Sequence, residues 1–202
     1  MLYRFLQFVF RTFFRLFFRA RVLGTENMPS QGAVILAANH MSNWDPPFLA
    51  TFLQRPVSYM AKQELFEVPV FGAAIRACHA FPIRRGAADR AAIKTALQVL
   101  KLQKCLGVFP EGTRSRDGQR HKAEAGVALL AAMSKAPVVP AAIMGTNHIL
   151  GPGGPLPQLT VRYGKPLYFT GAHNDKAALQ AFAQQVMAEI EKLIQEQTAA
   201  DC

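Results

Sequence analysis

Acidic residues are scarce in this chain: 13 Asp and Glu stand against 23 Lys and Arg, leaving a formal net charge of +10. Such a surface attracts polyanions, whether nucleic acid, an anionic bilayer or a phosphorylated substrate, and charge alone does not choose among them. Cysteine is scarcer still. Cys78, Cys105 and Cys202 are an odd number without paired spacing, which argues against a disulfide framework and a zinc site and makes a reducing, cytoplasmic environment the default expectation. His79, His121, His148 and His173 are scattered without ligand spacing, so no metal and no cofactor is expected. No uncharged hydrophobic run is long enough to span a bilayer, and arginines interrupt any signal-peptide-like centre near the start. Phosphate-loop, dinucleotide and nucleic-acid motifs, internal repeats and low-complexity tracts are also missing.

What is present is uneven. Phe (15) far outnumbers Tyr (4) and Trp (1), and seven of the phenylalanines fall within the first 18 residues. That mixture of Phe with Arg suits lipid better than nucleic acid. Across Leu2 to Val22, at 100° per residue, Arg4, Arg11, Arg15 and Arg19 share one narrow arc of a helical wheel, and phenylalanines and leucines cover much of the rest. Such a helix would lie in the membrane interface, Arg4, Arg11 and Arg15 reaching lipid phosphates and Phe13, Phe14 and Phe17 entering the upper acyl chains. The competing reading is a core helix with a solvated arginine edge. On the interfacial reading, deleting residues 2 to 21 releases the protein from anionic vesicles. The chain is then divided into an anchoring segment, residues 1–23, and one domain, residues 24–202; half of the chain's residues are hydrophobic, enough for a single core.

Beyond the loop Gly24 to Gly32, the runs at 33–38, 57–61, 80–83, 106–109 and 138–144 are short and apolar, as buried strands are, and 159–161 with 167–169 form a late hairpin or two short strands. Helical patterns occupy 46–54, two pieces of 63–77 broken at Pro69, 87–104, 123–135 and 176–197. The alternation predicts an α/β fold with a mixed, largely parallel sheet flanked by helices, preceded by the amphipathic helix. Ligand sites in such sheets gather at the carboxyl ends of strands.

Two segments at strand ends carry chemistry. In NHMSNWDP, His40 and Asp45 are separated by four residues; an imidazole can take a proton from an attacking hydroxyl while a carboxylate fixes its tautomer. Asp45 before Pro46 equally suits a helix N-cap, a purely structural role. In FPEGTRSRDG, from Phe109 to Gly118, a strand end leads into a loop whose amides, hydroxyls and guanidinium groups suit a phosphate monoester. A solvated basic loop is the alternative, most of all for Arg116, Arg120 and Lys122.

In order, NHMSNWDP (39–46), AFPIRRG (80–86), FPEGTRS (109–115) and VVPAAI (138–143) resemble the four motifs of the glycerolipid acyltransferase family that includes the 1-acylglycerol-3-phosphate acyltransferases. The resemblance spans about residues 24 to 170, and the third motif is the most specific. It implies that His40 is a general base oriented by Asp45, that Arg85 and Arg114 hold the acceptor's phosphate, and that Glu111, Gly112 and Thr113 shape that pocket. Lys62, in AKQELF, matches a lysine near the phosphate site of similar bacterial members, and Pro140 with its neighbours shapes the acyl or thioester channel. Whether Arg84 or Arg85 touches phosphate stays open.

The activity implied is transfer of a fatty acyl group from a coenzyme A or carrier-protein thioester to the sn-2 hydroxyl of lysophosphatidic acid, giving phosphatidic acid without a covalent intermediate. The partners implied are the thioester donor, lysophosphatidic acid and an anionic membrane surface, with no nucleic acid. The expected location is the cytoplasmic face of the plasma membrane, as a peripheral or monotopic protein. Rival readings are the same chemistry on glycerol 3-phosphate or another lysolipid, and a non-catalytic membrane-binding protein. A hydrolase would need an activated water or nucleophile that these motifs do not supply.

Overall fold

The computed structural model describes residues 2–83, 90–112, 125–149 and 156–201. Their elements are α1 (Leu2–Phe18), β1 (Arg21–Leu23), β2 (Val34–Ala38), α2 (Asp45–Thr51), β3 (Val57–Lys62), α3 (Phe71–Ala77), β4 (Phe81–Ile83), α4 (Arg90–Lys101), β5 (Cys105–Val108), α5 (Gly126–Ser134), β6 (Val138–Met144), β7 (Thr160–Tyr163) and α6 (Lys176–Asp201). Short 3-10 turns at Thr25–Asn27, Gln63–Phe66 and Thr146–His148 connect them.

The strands form one seven-stranded sheet in the order β1-β7-β6-β2-β5-β3-β4. Among the described strands only β6 and β7 pair antiparallel. The fold is therefore the α/β architecture with a mixed, largely parallel sheet that the alternation of elements predicts. In β2 every residue is buried, as the unbroken run Val34-Ile35-Leu36-Ala37-Ala38 requires of a central strand covered on both faces.

Side chains of period two divide the core between those faces. Val34, Leu36 and Ala38, with Val139, Ala141 and Ile143 of β6, point to a layer closed by α1 and α2. Ile35, Ala37, Leu106 and Val138 point to the opposite layer, closed by α4, α5 and α6. At the amino end of β2, Arg55 donates to the carbonyls of Pro29, Gly32 and Gln103 and so ties three loops together.

Two elements depart from the sequence expectation. The N-terminal helix stops at Phe18, and Arg21–Leu23, expected as its last turn, is an edge strand pairing in parallel with β7 through Val22 and Val161. The late hairpin reduces to β7 and a single bridge between Val138 and Leu167. In both places the partner is far away in sequence, so local periodicity carries no sign of it.

Nor is α1 held at arm's length. Phe14 is 0 % exposed and meets Phe18, Trp44 and Phe48, the last at 5.0 Å between ring centroids, while Phe13 stacks on Trp44. Arg11 donates to the Thr51 carbonyl at the end of α2, and its guanidinium lies over the Phe52 ring. Phe13, Phe14 and Arg11, expected to face lipid, thus face the domain. The reason is geometric: positions 3, 6, 7, 10, 11, 14 and 18 form one helical stripe, and that stripe is the one laid on α2. The outward face keeps Leu2, Phe5, Phe8, Val9, Leu16 and Phe17 exposed, Leu16 at 71 %, together with Arg4, while exposed Arg15 also reaches the Phe52 ring, 5.7 Å from its centroid, and exposed Arg19 follows the helix.

Candidate active site

The motif segments converge because of strand order. β6, β2, β5, β3 and β4 are adjacent and parallel, so their carboxyl ends lie along one rim of the sheet. His40 follows β2, Phe109 to Gly112 follow β5, Lys62 ends β3, Ile83 ends β4 and Thr146 follows β6.

His40 is 8 % exposed and Asp45 is fully buried. The imidazole Nδ1 lies 2.8 Å from Asp45 Oδ2. That oxygen also accepts the backbone N–H groups of Met41 and Ser42, each at 2.7 Å, and Oδ1 accepts the Thr146 hydroxyl. A carboxylate out of contact with water is costly unless its lone pairs are filled, and here two backbone N–H groups, a hydroxyl and the imidazole fill them. α2 begins at Asp45 itself with Trp44 at the cap position and no side-chain cap bond. The carboxylate reaches back to the loop that carries His40 instead of forward to the helix amides, so the capping role expected from Asp45-Pro46 is not the one it plays.

Neighbouring groups hold the loop. The Asn39 side chain donates to the Ile143 carbonyl and accepts the Ile143 N–H, continuing the β2–β6 ladder one residue past the strand. The His40 N–H is 3.4 Å from a carboxylate oxygen of buried Glu111. Phe109 stacks on the imidazole with ring centroids 4.0 Å apart and planes inclined by 17°. Tyr59 stacks on Phe109 as well, 6.1 Å away at 13°, and lies over Gly107. Burial pushes the Tyr59 phenol far above its ordinary range, and burial likewise lifts the Cys105 thiol to about 12. Both groups are therefore neutral at physiological pH.

A family model described as Acyltransferase matches residues 19–144, which is well over half of the chain and includes every group just described except Thr146. The chain belongs to the acyltransferase family. Among its relatives are a 1-acyl-sn-glycerol-3-phosphate acyltransferase of Bacillus subtilis, 35% identical over 128 residues, 63% of each chain, and one of Streptococcus pneumoniae, 32% identical over 178 residues, 85% of this chain and 65% of that one. The chain thus spans just under two thirds of the length of these curated relatives. A crystal structure of the 1-acyl-sn-glycerophosphate (LPA) acyltransferase PlsC from Thermotoga maritima superposes with a TM-score of 0.76 at 28% identity, covering 95% of this chain and 79% of that one.

Within this acyltransferase, Lys62 is exposed and registers opposite Ile83, the last residue before the Arg84-Arg85 pair. Glu111 and Gly112 sit in a turn closed by the Gly112 N–H on the Phe109 carbonyl. Arg84, Arg85, Thr113 and Arg114, read from the sequence as phosphate-pocket residues, lie outside the described residues. Four contributors to the site escaped the sequence reading as functional groups: Asn39, Tyr59, Phe109 as a stacking partner, and Thr146. A signal existed for Thr146, a hydroxyl residue directly after the Gly145 turn at the end of a strand; Gly145 has φ +88°, and any side chain there would strike the Gln158 carbonyl.

Proposed function

We propose that this acyltransferase moves a fatty acyl group from a thioester donor to the sn-2 hydroxyl of 1-acylglycerol 3-phosphate, with His40 as general base. One observation carries the reading: Asp45 engages His40 Nδ1, which leaves Nε2 as the atom for the acceptor's hydroxyl. In the step, the acceptor oxygen attacks the thioester carbonyl as its proton passes to Nε2. Collapse of the tetrahedral intermediate expels the thiolate, which recovers that proton. Asp45 holds the tautomer and stabilises the transient imidazolium. The similarity to 1-acyl-sn-glycerol-3-phosphate acyltransferases supports lysophosphatidic acid as the acceptor.

Lys62 and the segments carrying Arg85, Thr113 and Arg114 continue from neighbouring strand ends on the same rim, where guanidinium and ammonium groups suit a phosphate monoester. Arg84→Ala and Arg85→Ala, compared singly for acceptor KM, tell which of the two binds phosphate. The outward face of α1 places the protein on an anionic leaflet, which on this reading is the cytoplasmic face of the plasma membrane. Apolar Phe5, Val9 and Leu16 enter the interface and Arg4, Arg15 and Arg19 meet lipid phosphates. Among the described residues no helix is long and apolar enough to cross a membrane.

The test is a matrix of donors (coenzyme A and carrier-protein thioesters) against acceptors (lysophosphatidic acid, glycerol 3-phosphate, other lysolipids), run on purified protein in mixed micelles. Transfer to lysophosphatidic acid that falls by orders of magnitude in His40→Ala is the expected result. Undiminished transfer by that variant refutes the base, and preference for another acceptor refutes the substrate.

A further inference from the structure

We infer that Phe109 is a positioning residue for His40, whose phenyl face fixes the plane of the imidazole and stabilises the imidazolium formed during transfer. This rests on the general-base reading of His40. A single hydrogen bond from Nδ1–H to the Asp45 carboxylate sets one edge of the ring but leaves it free to turn about that bond. The stack removes that freedom, because the Phe109 ring lies nearly parallel to the imidazole with centroids 4.0 Å apart.

Phe109 has a second ring contact. Tyr59, 8 % exposed, lies nearly parallel to it, and Tyr59 in turn is seated on Gly107, where a Cβ would come within 2.2 Å of the tyrosine Cε1. Gly107 therefore leaves room for Tyr59, Tyr59 supports Phe109, and Phe109 supports His40. The Tyr59 hydroxyl has no hydrogen-bond partner among the described residues, so it is the ring that this arrangement employs.

Chemistry explains why an aromatic face suits this place better than an aliphatic side chain of equal bulk. The face of a phenyl ring carries the negative part of its quadrupole, which attracts a cation above it more strongly than a neutral ring. A general base becomes a cation as it works, so such a contact strengthens along the reaction coordinate and favours the transition state over the ground state. Asp45 then acts on the imidazolium from its edge and Phe109 from its face.

The experiment replaces Phe109 in the full chain with phenylalanines carrying one, two and three ring fluorines, which drain the quadrupole with little change of shape. Single-turnover transfer rates, KM and Tm are measured beside wild type, Phe109→Leu and His40→Ala. The expected result is a stepwise fall in transfer rate, reaching roughly thirtyfold at three fluorines, the size of one desolvated cation–π contact. Over the series Tm and KM hold steady; Phe109→Tyr retains the rate that Phe109→Leu loses. A rate constant across the fluorinated series overturns the inference and leaves the base intact. Transfer that survives His40→Ala overturns the reading beneath it.

Discussion

Asp45 has two oxygens, no exposure and donors on both, and it is this local arrangement that makes the carboxylate hard to replace. Asp45→Asn keeps the shape but turns an N–H₂ toward groups that also donate. Transfer is expected to fall roughly 10³- to 10⁴-fold, and stability by about 1–3 kcal/mol, read from kcat and from urea unfolding. Tyr59→Phe removes a buried hydroxyl without a partner among the described residues and is expected to raise stability by about 1 kcal/mol; a lowered Tm would show that the hydroxyl is bound in solution. Cys105 offers a pH test. Burial raises its thiol to about 12, and only the thiolate reacts, so at pH 8 the thiol stays protonated and alkylation of the folded protein should leave Cys105 unmodified by mass spectrometry. At this scale the spacing made His40 and Asp45 a candidate pair, with a helix N-cap as the equal alternative for Asp45, and the motif resemblance favoured the pairing. The ring on His40 was not visible, nor the ring against that one, because Phe109 and Tyr59 lie 69 and 19 residues away from His40 and come together only through the sheet.

At the scale of elements, α1 has two apolar faces with different fates. Deleting residues 2 to 21, the test that the sequence suggests, removes Phe14 and Phe18 from the core and Arg21 from the edge strand, so it confounds membrane release with unfolding. Point changes separate the two. Phe14→Ala should cost about 3–5 kcal/mol of stability, whereas Phe5→Ser with Leu16→Ser should leave stability within about 0.5 kcal/mol and weaken sedimentation with anionic vesicles. Unchanged sedimentation of that double variant would remove α1 as the membrane-binding element. The strands β2, β3, β5 and β6 were legible within a residue because their apolar, partly β-branched runs are bounded by turn residues. β1 was not, since three residues that continue a helical pattern become a strand only when β7, some 137 residues later, supplies the ladder.

For the whole molecule, the excess of basic groups predicts that vesicle binding weakens with salt. Raising ionic strength from about 0.05 to 0.5 M shortens the screening length several-fold and should reduce the bound fraction on anionic vesicles, with little effect on zwitterionic ones. Strand order is also a property of this scale. Chain order places His40, Lys62, Arg85 and Glu111 at widely spaced positions, and the permutation β2-β5-β3-β4 turns their strand ends into neighbours on one rim. Neither composition nor periodicity specifies that permutation, which follows from how helices of given length cross back over the sheet.

Local patterns were enough to determine the class of fold, the segments that carry chemistry and the general character of the surface, because each depends on residues near one another in the chain. The folded arrangement decided the rest: that Asp45 turns back to His40 in its own loop and not to its helix, that distant Thr146 and Phe109 complete the site, and that one face of α1 is core while the other is exposed. Those outcomes depend on which surfaces remain to be buried once the sheet has formed, and only the assembled tertiary structure contains that information.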